Sequence, residues 1–177
     1  MGAGLRPGPL GPGTVHVCLD MQRLLAPGGP WPAPWAPRIL PAVAALAGRA
    51  PGRTIFTRFI PPRDAAAAPG RWRAFYRKWH AVTGEAIDPR QLDLVPDLSG
   101  FAPPTVIVDI GCYSAFGAPH LLSTLAALHA DTLVFSGTEA DVRVLARVFA
   151  AVDHGLRAIV ARDARCARPP TPVTTRC

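Results

Sequence analysis

Lysine is almost missing from this chain: Lys78 is the one lysine among 19 basic residues, set against 12 acidic ones in 177 residues. The formal charge of +7 and the pI near 10.2 therefore come from arginines scattered along the sequence. A nucleic-acid footprint needs basic residues gathered into a stripe, so no nucleic-acid partner is expected. No run of ~18 apolar residues occurs, which excludes a membrane-spanning helix, and no membrane partner is expected. The Gly/Pro-rich opening, Met1 to Gly13, lacks the apolar stretch of a secretory signal. Cysteine is sparse: Cys18, Cys112, Cys166 and Cys177 form no C-x-x-C pair and no ladder of spacings, which argues against a zinc site and a disulfide framework. His16, His80, His120, His129 and His154 form no D-x-H or H-x-x-x-H pair, so no metal site is expected. The reducing cytoplasm is the expected compartment.

What is present is a globular composition, 49% hydrophobic and 18% charged. A chain of this length buries roughly 70% of its unfolded surface and needs no staples. Residues 1–13 read as a loose arm, 14–164 as one domain and 165–177 as an irregular tail. The β-branched, apolar runs Thr14 to Leu19, Arg53 to Phe59, Thr105 to Ile110, Thr132 to Ser136 and Arg157 to Ala161 read as strands. Between them, helical periodicity appears over Trp35 to Arg49, Arg71 to Val82, His120 to His129 and Glu139 to His154. In the last of these, Val142, Leu145, Ala146, Phe149 and Val152 share one face. In the second, Trp72, Phe75, Tyr76 and Trp79 form an aromatic face, read as core or interface. From Arg162 the pattern stops, which implies a shortened or altered carboxyl end. Alternating β and α with continuous apolar strands predicts a three-layer, doubly wound α/β sheet, mostly parallel. In such sheets ligands bind beyond the carboxyl ends of the strands, where Asp20, Asp109 to Tyr113 and Gly137 to Arg143 fall.

Five segments in this order carry a resemblance: L-D-M-Q (Leu19 to Gln22), F-T-R-F (Phe56 to Phe59), V-D-I-G-C-Y-S-A-F (Val108 to Phe116), S-G-T-E-A-D-V-R-V-L-A (Ser136 to Ala146) and A-A-V-D-H-G-L-R-A-I-V-A-R-D-A (Ala150 to Ala164). Together they resemble the isochorismatase-like cysteine hydrolases. The resemblance implies hydrolysis of amide or related C–N bonds, or in one branch of a vinyl ether, without an organic cofactor. It also implies an Asp-Lys-Cys triad, whose aspartate corresponds to Asp20. The lysine, three residues before the tyrosine of Y-S-A-F, corresponds to Ile110, and the cysteine, two residues after the aspartate of G-x-E-x-D, corresponds to Arg143. By the same resemblance Tyr113, Thr138 and Glu139 belong to the substrate pocket. A cis peptide at Thr138-Glu139 is expected, aiming the N–H groups of Glu139 and Arg143 into that pocket.

Ile110 carries no charge, and Arg143 stays protonated and is no nucleophile. The expected outcome is a divergent family member, a candidate pseudoenzyme, with cysteine hydrolase activity absent or much reduced and a pocket around Asp20, Tyr113 and Arg143 for a small acidic or amide ligand. An Asp20–Arg143 pair would lower the Asp20 pKa and make it a poorer acid. One alternative is an active hydrolase that uses Asp20, water and backbone oxyanion donors. Another is a non-catalytic subunit partnering an active paralogue. Cys112 has no base beside it in sequence and reads as a small, inert hydrophobe, as does Cys18. The resemblance further implies a homo-oligomer.

Overall fold

The computed structural model describes residues 8–166. Its strands lie where the β-branched runs do: β1 (Thr14–Leu19), β2 (Thr54–Phe59), β3 (Val106–Ile110), β4 (Thr132–Gly137) and β5 (Arg157–Arg165). They form one five-stranded sheet in the order β3-β2-β1-β4-β5, with every neighbouring pair parallel. Five α-helical segments accompany it: α1 (Ala36–Arg49), α2 (Trp72–Lys78), the short α3 (Pro96–Ser99), α4 (Pro119–Ala127) and α5 (Leu145–Asp153).

The central strand shows why the apolar runs are continuous rather than alternating. Val15, Val17 and Leu19 of β1 pack with Leu121 and Leu125 of α4 and Ala151 of α5, while Cys18 packs on the opposite face with Ile39, Val43 and Ala47 of α1. Both faces are covered, as a parallel sheet requires. His16, also buried in β1, bonds Ser136 Oγ through Nε2 at 2.7 Å and Thr54 Oγ1 through Nδ1 at 3.4 Å. The chain runs from β1 outward to β3 and then crosses back to β4 on the other side of β1. The crevice beyond the carboxyl ends of β1 and β4 is therefore the topological switch point, where such sheets bind ligands. The two strand ends are very close there. A Cβ on Gly137, which has φ +110°, would lie 2.2 Å from the Leu19 carbonyl oxygen, so only glycine fits.

Three details differ from the sequence reading. β5 continues past Ala161 to Arg165, with its pairing to β4 jumping from Phe135–Val160 to Gly137–Arg165. Backbone bonds explain the extension, since Cys166 N–H donates to Gly137 O at 3.1 Å and Cys166 O accepts from Ala140 N–H at 2.9 Å. Arg165, assigned to the tail in the sequence reading, closes β5 instead, and residues 167–177 of that tail lie outside the described residues. Second, the long β2–β3 connection is pinned by Gln22, whose Nε2 donates to Phe59 O at 3.0 Å and Leu92 O at 2.7 Å, and whose Oε1 accepts from Phe59 N–H. Third, α5 and the turn before it face the opposite way from the apolar pattern. Val142, Leu145, Phe149 and Val152 are exposed, while Arg143, Val144, Arg147 and Ala151 are buried. The physical reason is the carboxylate waiting beneath the arginines.

Candidate functional site

Asp20, the residue after β1, is completely buried and sits at φ +53°, a left-handed conformation that aspartate tolerates better than most side chains. Its N–H donates to Thr57 O at 3.1 Å, which fixes it across the β1–β2 edge. Its Oδ1 accepts from Thr57 Oγ1 at 2.6 Å, and its Oδ2 accepts from Arg143 Nη1 at 3.0 Å and from Arg147 Nη1 at 3.3 Å. Burial on its own would raise this carboxyl, but Arg147, Arg143 and the Thr57 hydroxyl outweigh it and hold the pKa below the ordinary value. This is the expected direction, with a second cation that the sequence reading did not include.

The turn after β4 brings both arginines inward. Glu139 is also left-handed, at φ +53°, and its carbonyl accepts N–H bonds from Val142, Arg143 and Val144 at 3.1, 2.8 and 3.3 Å. This widens Ala140–Val144 into a π-type turn, a local geometry often found at functional sites. The Thr138–Glu139 peptide is trans rather than cis, and the left-handed Glu139 makes the sharp corner instead. The Arg143 N–H is held by the Glu139 carbonyl and does not point into a pocket as expected.

Arg143 is clamped from two sides, with Nε donating to the Glu139 carboxylate and Nη1 to Asp20. Its guanidinium lies over the Phe59 ring, 4.2 Å from the centroid, and 5.8 Å from that of Tyr113. Burial opposes its charge, but Asp20 and Glu139 prevail and raise its pKa. Arg147 is wholly buried, and desolvation prevails there, pulling its pKa down. The four side chains Asp20, Glu139, Arg143 and Arg147 balance to zero formal charge, which makes so much buried charge tolerable.

Beside this cluster lies a cavity of about 310 Å³ with aromatic walls from Trp31, Phe59, Trp72, Tyr76 and Tyr113, and with Cys112 and Arg143 contributing polar atoms. Two of the three guanidinium nitrogens of Arg143 are claimed by Glu139 and Asp20. Arg143 is itself one of the residues that line the cavity.

Of the sequence-derived site residues, Asp20, Arg143 and Glu139 come together in the charge cluster, and Tyr113 forms a cavity wall. Thr138 holds the turn, its hydroxyl donating to Asp20 O at 3.2 Å, and it does not line the cavity. Ile110 is buried in the core with Leu19, Ile55 and Phe116, also outside the cavity lining. Trp72 and Tyr76, read as core or interface, line the cavity because α2 sits at its rim. Cys112, read as an inert hydrophobe, is exposed on the cavity wall. Arg147 was missed. Its one signal is the i, i+4 spacing from Arg143, masked by the apolar stripe on the other side of the helix. Among the described residues no three His, Cys, Asp or Glu side chains converge as a metal site would need. Nor is any helix among them long and apolar enough to cross a membrane.

The isochorismatase domain matches this chain over residues 14–176. Among solved structures it is similar to a cysteine hydrolase from Pseudomonas syringae pv. phaseolicola 1448A, at 26% identity and a TM-score of 0.80, covering 98% of this chain and 82% of that one. An isochorismatase family protein from Desulfovibrio vulgaris subsp. vulgaris str. Hildenborough shares the fold at 21% identity and a TM-score of 0.75, covering 89% and 83%. So does an N-carbamoylsarcosine amidase from Thermoplasma acidophilum, at 20% identity and a TM-score of 0.70, covering 92% and 88%. No curated protein matches the chain.

Proposed function

The chain belongs to the isochorismatase family of hydrolases, and from that premise we propose a member in which thiol-dependent hydrolysis at position 143 is absent or much reduced, and whose cavity binds a single-ring acid or amide. At the positions the family gives to its lysine and cysteine stand Ile110, a core side chain, and Arg143, a cation that is no nucleophile. The observation that carries the binding half is the Arg143 side chain, a permanent cation that lines a cavity walled by aromatic rings. A volume near 310 Å³ suits one ring with one polar substituent. A carboxylate or amide oxygen would accept from the Arg143 guanidinium while the ring lies against Trp72 or Tyr113.

An active hydrolase built on Asp20 is disfavoured by the same geometry. Both Asp20 oxygens are occupied and its carboxyl is held ionised, so it has no proton to give near neutrality. The exposed stripe Val142, Leu145, Phe149 and Val152 favours association, and this reading takes it as the face where copies of the chain meet.

Calorimetric titration with benzoate, benzamide and benzyl alcohol tests the binding half. Benzoate and benzamide are expected to bind and benzyl alcohol to bind weakly. Loss of one charge-assisted hydrogen bond, about 1.5–3 kcal/mol, predicts at least a tenfold weaker benzoate affinity in Arg143→Met. Trp72→Ala serves as a second variant outside the charge cluster. Equal affinity for all three compounds overturns the binding reading. Nicotinamide and N-carbamoylsarcosine, trial substrates suggested by relatives of this fold, are expected to release no ammonia. Turnover near the ordinary enzymatic ~10 s⁻¹ overturns the loss of hydrolysis.

A further inference from the structure

Two polar side chains of the cavity wall are buried, and they are placed differently. Arg143, 3% exposed, is bonded to Asp20 and Glu139. Tyr76, 6% exposed, is the buried residue of α2 and makes no hydrogen bond to any described residue. Buried tyrosine hydroxyls ordinarily have a partner, and an unpaired one costs the desolvation of the group. A phenylalanine would pack the same wall without that cost. Tyr76 lines the cavity, and its hydroxyl is not among the partnerless polar atoms shut inside the fold. Burial lifts its pKa above the ordinary phenol value, against a smaller opposing pull from Arg143, so near neutrality the group is an O–H that both donates and accepts. Tyr113, the other phenol of the wall, is 40% exposed and has water for its hydroxyl. Aromatic rings connect Tyr76 to the cation. The Trp72 ring lies 6.3 Å from that of Tyr76 and 5.5 Å from that of Tyr113, and the Arg143 guanidinium carbon lies 5.8 Å from the Tyr113 ring. A single ring seated against Trp72 therefore neighbours both.

We propose that Tyr76 determines specificity at this cavity: its hydroxyl turns inward and hydrogen-bonds a hydroxyl carried on the ligand's ring, so that the preferred ligands are hydroxylated single-ring acids. The inference rests on the binding reading above and deepens it. A hydroxyl is the substituent best matched to a phenol, since each group has one O–H to give and lone pairs to receive. A methyl group of similar size fills the same space but cuts Tyr76 off from water and leaves it unpaired. A site built to hydrogen-bond a ligand hydroxyl rejects the analogue that lacks it, because the site's own polar group is then buried without a partner. The cavity, about 310 Å³, has room for one ring and both substituents.

The test is calorimetric titration of the full-length protein with 3- and 4-hydroxybenzoate and with 3- and 4-methylbenzoate, repeated on Tyr76→Phe. For the isomer whose hydroxyl reaches Tyr76, the ratio of hydroxybenzoate to methylbenzoate affinity is expected to fall about three- to tenfold in Tyr76→Phe, the worth of one neutral hydrogen bond. Ratios that are unchanged for both isomers overturn the inference. Tyr76→Phe should melt no lower than the wild type, because the hydroxyl it removes has no protein partner among the described residues. A Tm lower by more than ~4 °C would reveal such a partner and overturn the inference as well. A wild type that binds no benzoate derivative overturns both this inference and the binding reading. A Tyr76-dependent ratio in a protein that binds benzyl alcohol as tightly as benzoate would refute the binding reading and leave Tyr76 standing.

Discussion

Replacing Asp20 by asparagine tests the charge cluster most directly. The amide keeps the shape and still accepts a bond from Thr57, but it removes the anion that two guanidinium groups share. Arg143 retains Glu139, whereas Arg147, fully buried, loses its only hydrogen-bond partner among the described residues. Removing one member of a buried ion pair costs about 3–5 kcal/mol, because the other charge is left uncompensated. For a chain of this length each kcal/mol moves Tm by roughly 2–4 °C, so Asp20→Asn should melt about 6–20 °C below wild type. Urea unfolding and circular-dichroism melts at pH 7 measure this. Asp20→Asn/Arg147→Met should recover part of the loss, since the two side chains are coupled. The pH dependence has a defined sign. A carboxyl whose folded pKa is depressed adds stability above its unfolded value, near 3.8, and this is lost as pH falls through the folded pKa. Wild type should therefore lose its advantage over Asp20→Asn in strong acid. A loss below about 1 kcal/mol at pH 7 with an unchanged m-value would refute the picture of a dry, charge-balanced cluster.

Two further outcomes follow from other parts of the molecule. Burial pushes His16 from 6.5 down to about 4, so the unfolded chain takes up its proton first and stability should fall by about 3 kcal/mol between pH 6.5 and 4. His16→Gln should flatten that segment of the urea-midpoint profile, and an unaltered slope would remove His16 as its source. Phe149→Asp, at a position 62% exposed, should leave stability within about 0.5 kcal/mol while lowering the sedimentation coefficient of associated protein; an unchanged coefficient would exclude the α5 face as the contact.

The sheet was legible because β1, β2 and β4, buried over nearly their whole length, read as largely apolar, β-branched runs, and the partly exposed edge strands β3 and β5 open on such runs too. Asp20 was legible from its place at the end of β1, and Arg143 from the motif around it. Phase and pairing were not. The apolar residues of the Ala140–Asp153 segment repeat at helical spacing, and a periodicity argument points that stripe inward. In the folded chain, neutralising Asp20 and Glu139 turns the segment over, because an unpaired buried carboxylate costs more than exposed Leu145 and Phe149. Arg147 therefore reads as a surface residue in sequence and is fully buried in the structure. The extension of β5 was hidden by its polar residues, whose pairing depends on the backbone of Gly137 and Ala140.

The balanced quartet of Asp20, Glu139, Arg143 and Arg147 also constrains how this site can change. Exchanging Arg143 for cysteine in one step removes the cation that Glu139 and Asp20 both bond, and leaves Asp20 to Arg147. Such a single change lowers stability, because it leaves buried charge out of balance. A substitution at any of these four positions is therefore best tolerated when a partner of opposite charge changes with it, so the site is altered in pairs rather than one residue at a time.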